Sequence, residues 1–348
     1  METSCAFQLE VSPKLAMVYG FTLTDKYLIA AAQRCVVYSH DPLRPGKKAD
    51  FDIGLNWEVK CHPESSLLLV ATWDAAGKVG LWDFENGTHI QDFIGGGMAH
   101  HVAFLNKSQY ASSSTYGGEI FLWQREKQEP THTLQGHRGR INRLESKESM
   151  LFSASEDGTV RIWNITSGEC IQVLEGHPED TSILTFSPDG SLLRVGDGHG
   201  QVRIWDWENG KMKAERQTEA RHTTLYVNAN NGNLLTGGID GTIKTWTQDG
   251  ELVHSFIAHE VPVRGLARVG QFLVTIGTSD GRIKLWDWQS RKWLVDLQGS
   301  IGLIRNYAAG HGKLAILSDG EPRGTRNVQV WDLDLIEQFA SRHVDSAL

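Results

Sequence analysis

Histidine, serine and aspartate, the residue types of a hydrolytic triad, occur together in one segment of this chain. His137, Ser153 and Asp157 are followed there by Trp163. A nucleophilic serine needs an exposed hydroxyl with an oxyanion site beside it. The segment instead reads as short strands joined by tight turns, in which buried polar groups must satisfy one another. We therefore interpret the set as structural and predict no catalytic residue.

Three other motifs have the form of a functional site but lack a required part. The segment GTSDG (277–281) matches G-x-S-x-G, yet it lies between two predicted strands and not at a strand-to-helix turn. No helix follows GDGHG (196–200), so no phosphate cradle is expected. His100 and His101 are adjacent, but the chain has no HExxH and no cysteines at ligand spacing. We predict no metal site and no cofactor.

A repeat of tryptophans organises the chain around these motifs. Seven tryptophans follow one another at steps of 41, 40, 42, 41, 40 and 45 residues, and each ends a short alternating run such as TVRIWN: they are Trp82, Trp123, Trp163, Trp205, Trp246, Trp286 and Trp331. A strand-plus-tryptophan unit of this period is typical of β-propeller blades. In the clearest repeat, strands are predicted at 141–146, 150–156, 159–164 and 169–176, which makes a four-stranded blade.

An eighth repeat precedes the seven. Tyr38 stands 44 residues before Trp82, where a tryptophan would be expected. The last repeat lacks its outer strand, which the N-terminal segment 6–11 could supply by pairing with it and so closing the ring. We predict an all-β propeller of eight four-stranded blades in a single domain, 1–348, with residues 335–348 as a short tail or helix. Seven blades with a divergent N-terminal extension is the alternative.

The repeats resemble the WD40 family over nearly the whole chain. Gly136-His137 and Gly176-His177 match the family's GH signature, and Trp82-Asp83, Trp205-Asp206, Trp286-Asp287 and Trp331-Asp332 match its Trp-Asp signature. The last residues, from Trp331 onward, are similar to the tails of many bacterial WD40 proteins. The resemblance implies a hydrogen-bonded tetrad of histidine, hydroxyl, aspartate and tryptophan within a blade. The matching residues are His137, Ser153, Asp157 and Trp163; His222, Thr236, Asp240 and Trp246; and His259, Asp280 and Trp286, with Thr278 as the hydroxyl of this last set.

The resemblance also implies that partners bind the narrow top face of the propeller. In the family this face is built from the loop before each first strand, the start of that strand and the turn before the tryptophan strand. Carried over by position, the predicted face includes Trp57, Trp73, His100, Tyr116, Arg138, Arg140, Asn142, Glu156, Arg264 and Arg305. An insertion at 319–327 adds Arg323 and Arg326.

Arginine suits bidentate capture of carboxylate or phosphate, and arginine with tryptophan and tyrosine is typical of interface hot spots. The hypothesis is that the face binds an acidic or phosphorylated segment of a partner, as the arginine-lined top of eight-bladed F-box WD40 proteins does. No F-box is present, and their arginine set is not fully matched. The alternative is that the arginines are solvated or pair with local acids such as Glu156, Asp319 and Glu321.

Composition narrows the function classes. The net charge of −8 disfavours nucleic-acid binding, which needs a basic footprint. The start of the chain has no signal-peptide pattern, no apolar run approaches 18 residues, and the four cysteines are widely spaced. We expect a cytoplasmic, non-catalytic scaffold or recognition subunit with one or more protein partners, no membrane association and no required self-association. The alternatives are a ligand-sensing regulatory subunit of an effector enzyme and, less favoured, a hydrolase-type propeller.

Overall fold

A computed structural model of the chain describes thirty-two β-strands and hardly any helix. The described residues are 7–11, 20–31, 34–39, 46–73, 75–95, 97–177, 181–187, 189–197, 200–217, 224–227, 233–247, 251–278, 280–297, 304–319, 326–334 and 336. Contacts group the chain into two compact units. Unit 1 comprises 1–29, 39–45 and 218–348, and unit 2 comprises 30–38 and 46–217.

Unit 2 holds four complete antiparallel four-stranded sheets, each built from consecutive strands. Blade two is β6 (Asn56–Cys61), β7 (Leu67–Thr72), β8 (Lys78–Asp83) and β9 (Thr88–Ile94). Blade three is β10 (Ala99–Phe104), β11 (Gln109–Ser114), β12 (Ile120–Gln124) and β13 (His132–Leu134). Blade four is β14 (Ile141–Lys147), β15 (Met150–Ser155), β16 (Thr159–Asn164) and β17 (Cys170–Glu175). Blade five is β18 (Thr181–Phe186), β19 (Leu192–Asp197), β20 (Gln201–Asp206) and β21 (Lys211–Gln217).

Unit 1 holds three complete sheets. Blade six is β22 (Thr224–Val227), β23 (Leu234–Gly237), β24 (Thr242–Trp246) and β25 (Leu252–Ile257). Blade seven is β26 (Val263–Val269), β27 (Phe272–Gly277), β28 (Ile283–Asp287) and β29 (Trp293–Leu297). Blade eight is β30 (Ile304–Gly310), β31 (Lys313–Asp319), β32 (Arg326–Asp332) and β1 (Phe7–Val11). Blade one, with strands in both units, is β2 (Gly20–Leu23), β3 (Tyr27–Ala31), β4 (Arg34–Ser39) and β5 (Gly46–Asp52).

The eight four-stranded blades are those predicted from the tryptophan repeat, which confirms eight blades over the alternative of seven. The predicted pairing of the N-terminal strand with the last one is also confirmed. Strand β1 runs antiparallel to β32, with Leu9 opposite Val328. This pairing gives β32 a neighbour on both sides and leaves it no open backbone edge.

The core of each unit lies between neighbouring sheets. The second strand of a blade is buried on both faces, because one sheet packs on each side of it. Every residue of β7 (LLLVAT) and β27 (FLVTIG) is buried, so these strands are continuous apolar runs and do not alternate. The repeated tryptophans are part of these cores. Trp123, Trp163 and Trp331 are fully buried there.

One predicted boundary needs correction. The insertion of blade eight was predicted over 319–327, but Asp319 ends β31, and Arg326 and Asn327 begin β32. The ladder continues to the pair Asp319 and Arg326, and residues 320–325 between the two strands lie outside the described residues. Of the predicted tail 335–348, the structure describes only Ile336, which packs on the core of unit 1, and the rest lies outside the described residues.

One tyrosine ties blade seven to blade eight within unit 1. The Tyr307 hydroxyl accepts a hydrogen bond from the Leu266 amide at 3.3 Å and donates to the Leu266 carbonyl at 3.2 Å. We expect Tyr307→Phe to lower the free energy of unfolding by about 1–2 kcal/mol, because both backbone groups lose a partner. Urea unfolding measures this. Tyr116→Phe is the control, since the Tyr116 side chain is exposed. Equal effects of the two changes would contradict this role for Tyr307.

Candidate partner-binding site

The first strands of six blades share a distortion near their start. The strand register shifts between Asn56 and Glu58, and the same shift occurs in β10, β14, β18, β26 and β30. A bulge leaves one residue out of the ladder and re-aims its side chain. Five of the bulged positions are those carried over to the predicted face: Trp57, His100 (with His101), Asn142, Arg264 and Arg305.

In unit 2 the bulged side chains help to build a pocket of about 550 Å³, here called the aromatic pocket. Blades two, three and four each contribute to it. Its lining is Trp57, Trp73, Met98, His100, Thr115, Tyr116, Gly117, Arg140 and Glu156. Six of these residues belong to the predicted face, and the structure brings them together. Of the other predicted residues of unit 2, Arg138 is exposed and Asn142 half-buried, and neither lines the pocket.

Stacked rings form one wall of the aromatic pocket. Trp57 and Trp73 stack with ring centroids 4.6 Å apart at an interplanar angle of 29°. The other neighbour of Trp57 is His100, whose ring centroid lies 5.0 Å away. The Trp73 amide donates to the Leu55 carbonyl at 2.7 Å, which fixes the turn that carries this ring. An aromatic stack tied to the backbone in this way is a rigid surface for a ligand.

The carboxylate of Glu58 holds the bulge of β10 in place. Glu58 Oε2 accepts a hydrogen bond from the Val102 amide at 2.9 Å and contacts His101 Nδ1 at 3.2 Å. Burial raises the pKa of Glu58, but His101 and Lys60 outweigh burial and lower it to about 2. The carboxylate is therefore charged at neutral pH and fixes β10 against β6. Sequence reasoning missed Glu58 and His101. Each lies next to a predicted residue, but only the bulge shows which way they point.

The opening of the pocket combines a neutral imidazole, an ion pair and exposed rings. Burial, with the nearby His101 and Arg140, lowers the pKa of His100 to about 4, so its ring is neutral at pH 7. Arg140 Nη2 pairs with Glu156 Oε1 at 2.6 Å, and the Glu156 amide donates to the Arg140 carbonyl. Tyr116 is 73% exposed and Trp73 is 48% exposed.

Two of the predicted arginines of unit 1, Arg264 and Arg305, are engaged with their own surroundings. Arg305 Nε and Nη2 donate to the two Asp319 oxygens at 2.9 and 2.7 Å, and this bond raises the pKa of Arg305. Arg264 Nη2 donates to the Arg305 carbonyl at 3.0 Å. Arg326 lies in β32 opposite Asp319, and Arg323 lies outside the described residues. The alternative for these arginines was pairing with a local acid. Arg305 forms such a pair with Asp319.

The histidine, serine and aspartate of blade four are hydrogen-bonded in series. His137 Nδ1 lies 2.8 Å from Asp157 Oδ2, and His137 Nε2 lies 2.7 Å from Ser153 Oγ. Trp163 Nε1 donates to the same Ser153 Oγ at 2.8 Å. These distances would suit a hydrolytic triad, but Ser153 is 0% exposed and its hydroxyl already accepts a hydrogen bond from Trp163. The set pins the turn at Asp157 and offers a substrate no access.

Blades six and seven show parts of the same arrangement. In blade seven, His259 Nε2 lies 2.9 Å from Thr275 Oγ1, and Trp286 Nε1 donates to that oxygen at 2.9 Å. The hydroxyl is therefore Thr275, and the expectation of Thr278 was wrong, because Thr278 follows the end of β27. Asp280 Oδ2 lies 3.4 Å from His259 Nδ1.

In blade six, Trp246 Nε1 donates to Thr236 Oγ1 at 3.0 Å, and Asp240 accepts from Thr242. His222 lies outside the described residues. Blade three keeps the tryptophan bond alone, from Trp123 Nε1 to Ser112 Oγ at 2.9 Å.

The part of the chain that the structure describes contains neither a cluster of metal-binding side chains nor a membrane-spanning helix. No group of three or more His, Cys, Asp or Glu side chains there could hold a metal ion. No helix among the described residues is long and apolar enough to cross a membrane.

Comparisons with known proteins point to one family. The family model "WD domain, G-beta repeat" matches residues 128–164, 168–206 and 250–287. Each match begins at or just before the outer strand of one blade and ends on the tryptophan strand of the next. Among solved structures, the computationally designed protein Ika8 is 22% identical with a TM-score of 0.75, covering 90% of this chain and 96% of that one. That likeness concerns the fold alone.

Three similar proteins come from a fungus, an animal and a plant. Nuclear distribution protein nudF of Aspergillus niger is 25% identical over 66% of this chain and 58% of its own length. WD repeat-containing protein 25 of Mus musculus is 30% identical over 45% and 32%. Autophagy-related protein 16 of Arabidopsis thaliana is 28% identical over 51% and 35%. The chain spans less than two thirds of each of these relatives. The eight blades and the three repeat matches together identify the chain as a WD40-repeat protein with a β-propeller fold.

Proposed function

We propose that this chain is a non-catalytic scaffold or recognition subunit that binds a protein partner through the aromatic pocket of unit 2. It acts as a single domain, 1–348, in the cytoplasm and needs no self-association. The relatives bear names from different processes, nuclear distribution and autophagy, and share the repeats. Because one fold serves different processes, the repeats define the fold, and the recognition role is argued from the site.

The observation that carries the proposal is the exposure of Trp73 and Tyr116 beside the half-buried ring of Trp57. The fold makes little use of the Tyr116 ring, which is 73% exposed. Tryptophan, tyrosine and arginine dominate interface hot spots, because burying a rigid ring against a partner releases much water at little entropic cost. The ring wall, with the ion pair of Arg140 and Glu156 at its edge, has the composition of such a site.

The hypothesis of an acidic or phosphorylated segment rests on Arg264, Arg305, Arg323 and Arg326, of which the structure describes the side-chain contacts of the first two. A phosphate arriving at Arg305 would have to displace Asp319 from a bidentate bond. The basic residues of unit 1 are therefore a weaker candidate than the aromatic pocket, and we keep them as a second surface to test. A ligand-sensing regulatory subunit would use the same pocket for a small molecule.

The test is affinity capture of the tagged chain from its source cells with quantitative mass spectrometry. Wild type is compared with Trp73→Ala/Tyr116→Ala, with Arg264→Glu/Arg305→Glu and with Trp293→Ala. Trp293 is a matched control, because it is an exposed tryptophan of β29 in unit 1. We expect the pocket variant to lose a stable partner while the Trp293 variant retains it, with melting temperatures of all four forms within a few degrees.

Loss of the partner only in the arginine variant would assign binding to an acidic segment and contradict the pocket. Retention in every variant would place the interface elsewhere. A wild type that captures nothing, but binds a metabolite through the pocket, would favour the ligand-sensing subunit.

A further inference from the structure

We propose that the aromatic pocket binds a cationic side chain, a lysine or methylated lysine, presented by a basic segment of the partner. This inference rests on the proposed function and adds the chemistry of what the pocket takes. Cations are attracted to the faces of tryptophan and tyrosine rings, and ammonium groups are bound in cages of such rings. The pocket offers Trp73 and Tyr116 as exposed rings from two neighbouring blades.

Charge within the pocket favours a cation over an anion. Its one arginine, Arg140, is bound to Glu156 through both side chain and backbone. His100 is neutral at pH 7. The lining therefore carries no net positive charge with which to hold a carboxylate or phosphate. An ammonium group, in contrast, would meet ring faces with the Glu156 carboxylate nearby.

A second pocket next to the first strengthens this assignment. It has a volume of about 490 Å³ and shares Trp73 with the aromatic pocket. Its lining includes the carboxylates Asp52 and Asp92. Asp92 pairs with Lys78 at 2.9 Å and contacts His89 Nε2 at 2.7 Å, whereas Asp52 is exposed and accepts a backbone hydrogen bond from Gly54. Two carboxylates, one lysine and one histidine thus line the pocket beside Trp73, on a chain whose net charge is −8.

Two side chains of one extended basic segment could therefore occupy neighbouring pockets. A cationic residue would enter the aromatic pocket, and a second polar or basic residue would lie near Asp52. The acidic chain would also attract such a segment over a distance, because a negatively charged surface speeds the encounter with a positively charged partner.

The test uses choline as the cationic probe and 3,3-dimethylbutan-1-ol as its neutral isostere, in which carbon replaces the charged nitrogen. Binding to the full-length chain is measured by calorimetry and by saturation-transfer NMR. We expect choline to bind in the millimolar range and the isostere to bind about tenfold more weakly, because only the positive charge differs. Trp73→Ala and Tyr116→Ala should each abolish choline binding. Tyr116→Phe, which keeps the ring, and Trp293→Ala should preserve it.

Equal binding of the two probes would overturn the inference, because the pocket would then be merely apolar. Binding of inorganic phosphate that depends on Arg140 would assign the pocket to anions, with the same consequence. No choline binding, or choline binding that survives Trp73→Ala, would also overturn it. Partner capture that still depends on Trp73 and Tyr116 would leave the proposed function standing in each of these cases.

Discussion

Replacing Ser153 by alanine is expected to lower the free energy of unfolding by about 2–5 kcal/mol, since two buried polar groups would each lose a partner. The Ser153 hydroxyl serves both His137 Nε2 and Trp163 Nε1, and all three residues are buried within blade four. Alanine fits the space but satisfies neither group, and no water-filled alternative is open to a side chain at 0% exposure.

Ser112→Ala is the matched control for this change. Ser112 is buried as deeply and accepts the same bond from its own tryptophan, Trp123, but no histidine depends on it. We expect it to cost about 1–3 kcal/mol, the value for one lost partner. Urea unfolding of both variants gives the difference. Equal costs would show that the histidine bond adds nothing and that the tetrad is only a tryptophan anchor.

Acid is expected to destabilise the protein in two separate pH windows. The upper window belongs to His177, which is buried against Trp205. Burial, with nearby Arg203, lowers the pKa of His177 from 6.5 to about 4. The unfolded chain therefore takes up a proton before the folded one does. Stability is full above pH 6.5 and falls until about pH 4, by roughly 3 kcal/mol for this residue.

Aspartates with a lowered pKa, such as Asp157, contribute to the lower window, and so does Glu58. Its pKa, lowered from 4.5 to about 2, gives stability that is present above pH 4.5 and lost as the pH falls toward 2. The loss is of the same order, roughly 3 kcal/mol. His100, His137 and His259 also have lowered pKa values, so they add to the upper window in the same direction.

Two variants separate these windows and serve as controls for each other. His177→Phe keeps a ring against Trp205 and should flatten part of the stability loss between pH 6.5 and 4, leaving the lower window intact. Glu58→Gln should do the reverse. The measurement is the free energy of urea unfolding at several pH values. A wild-type stability that stays constant from pH 6.5 to 4 would contradict the assignment to His177.

The positions of the candidate site followed from the sequence better than its electrostatics did. Trp57, His100 and Arg264 could be located because the repeat fixes where each first strand begins, and the first strands of six blades share the same bulge. The fold of eight blades followed from the same period. Thr275 was missed because the choice among nearby hydroxyls depends on which one faces the tryptophan, and strand ends are known only within a few residues.

The charge of the predicted face could not be read from residue types. Arg140 and Arg305 look like free cations in the sequence, but each lies next to an acid across a strand pair. Whether such neighbours bind each other depends on side-chain rotamers, which no repeat pattern encodes. Glu58 is the opposite case, because nothing in the sequence marks it as part of the site. Its hydrogen bond with the Val102 amide depends on the bulges of β6 and β10, which only the strand register shows.

The most direct test of the central claim is site-specific photo-crosslinking to the captured partner. A benzophenone amino acid is placed at Tyr116 in the aromatic pocket, and in separate forms at Trp293 and at Ile257, both exposed on outer strands of unit 1. We expect a crosslink to the partner from position 116 and none from the other two. A crosslink from 257 or 293 with none from 116 would contradict binding through the aromatic pocket.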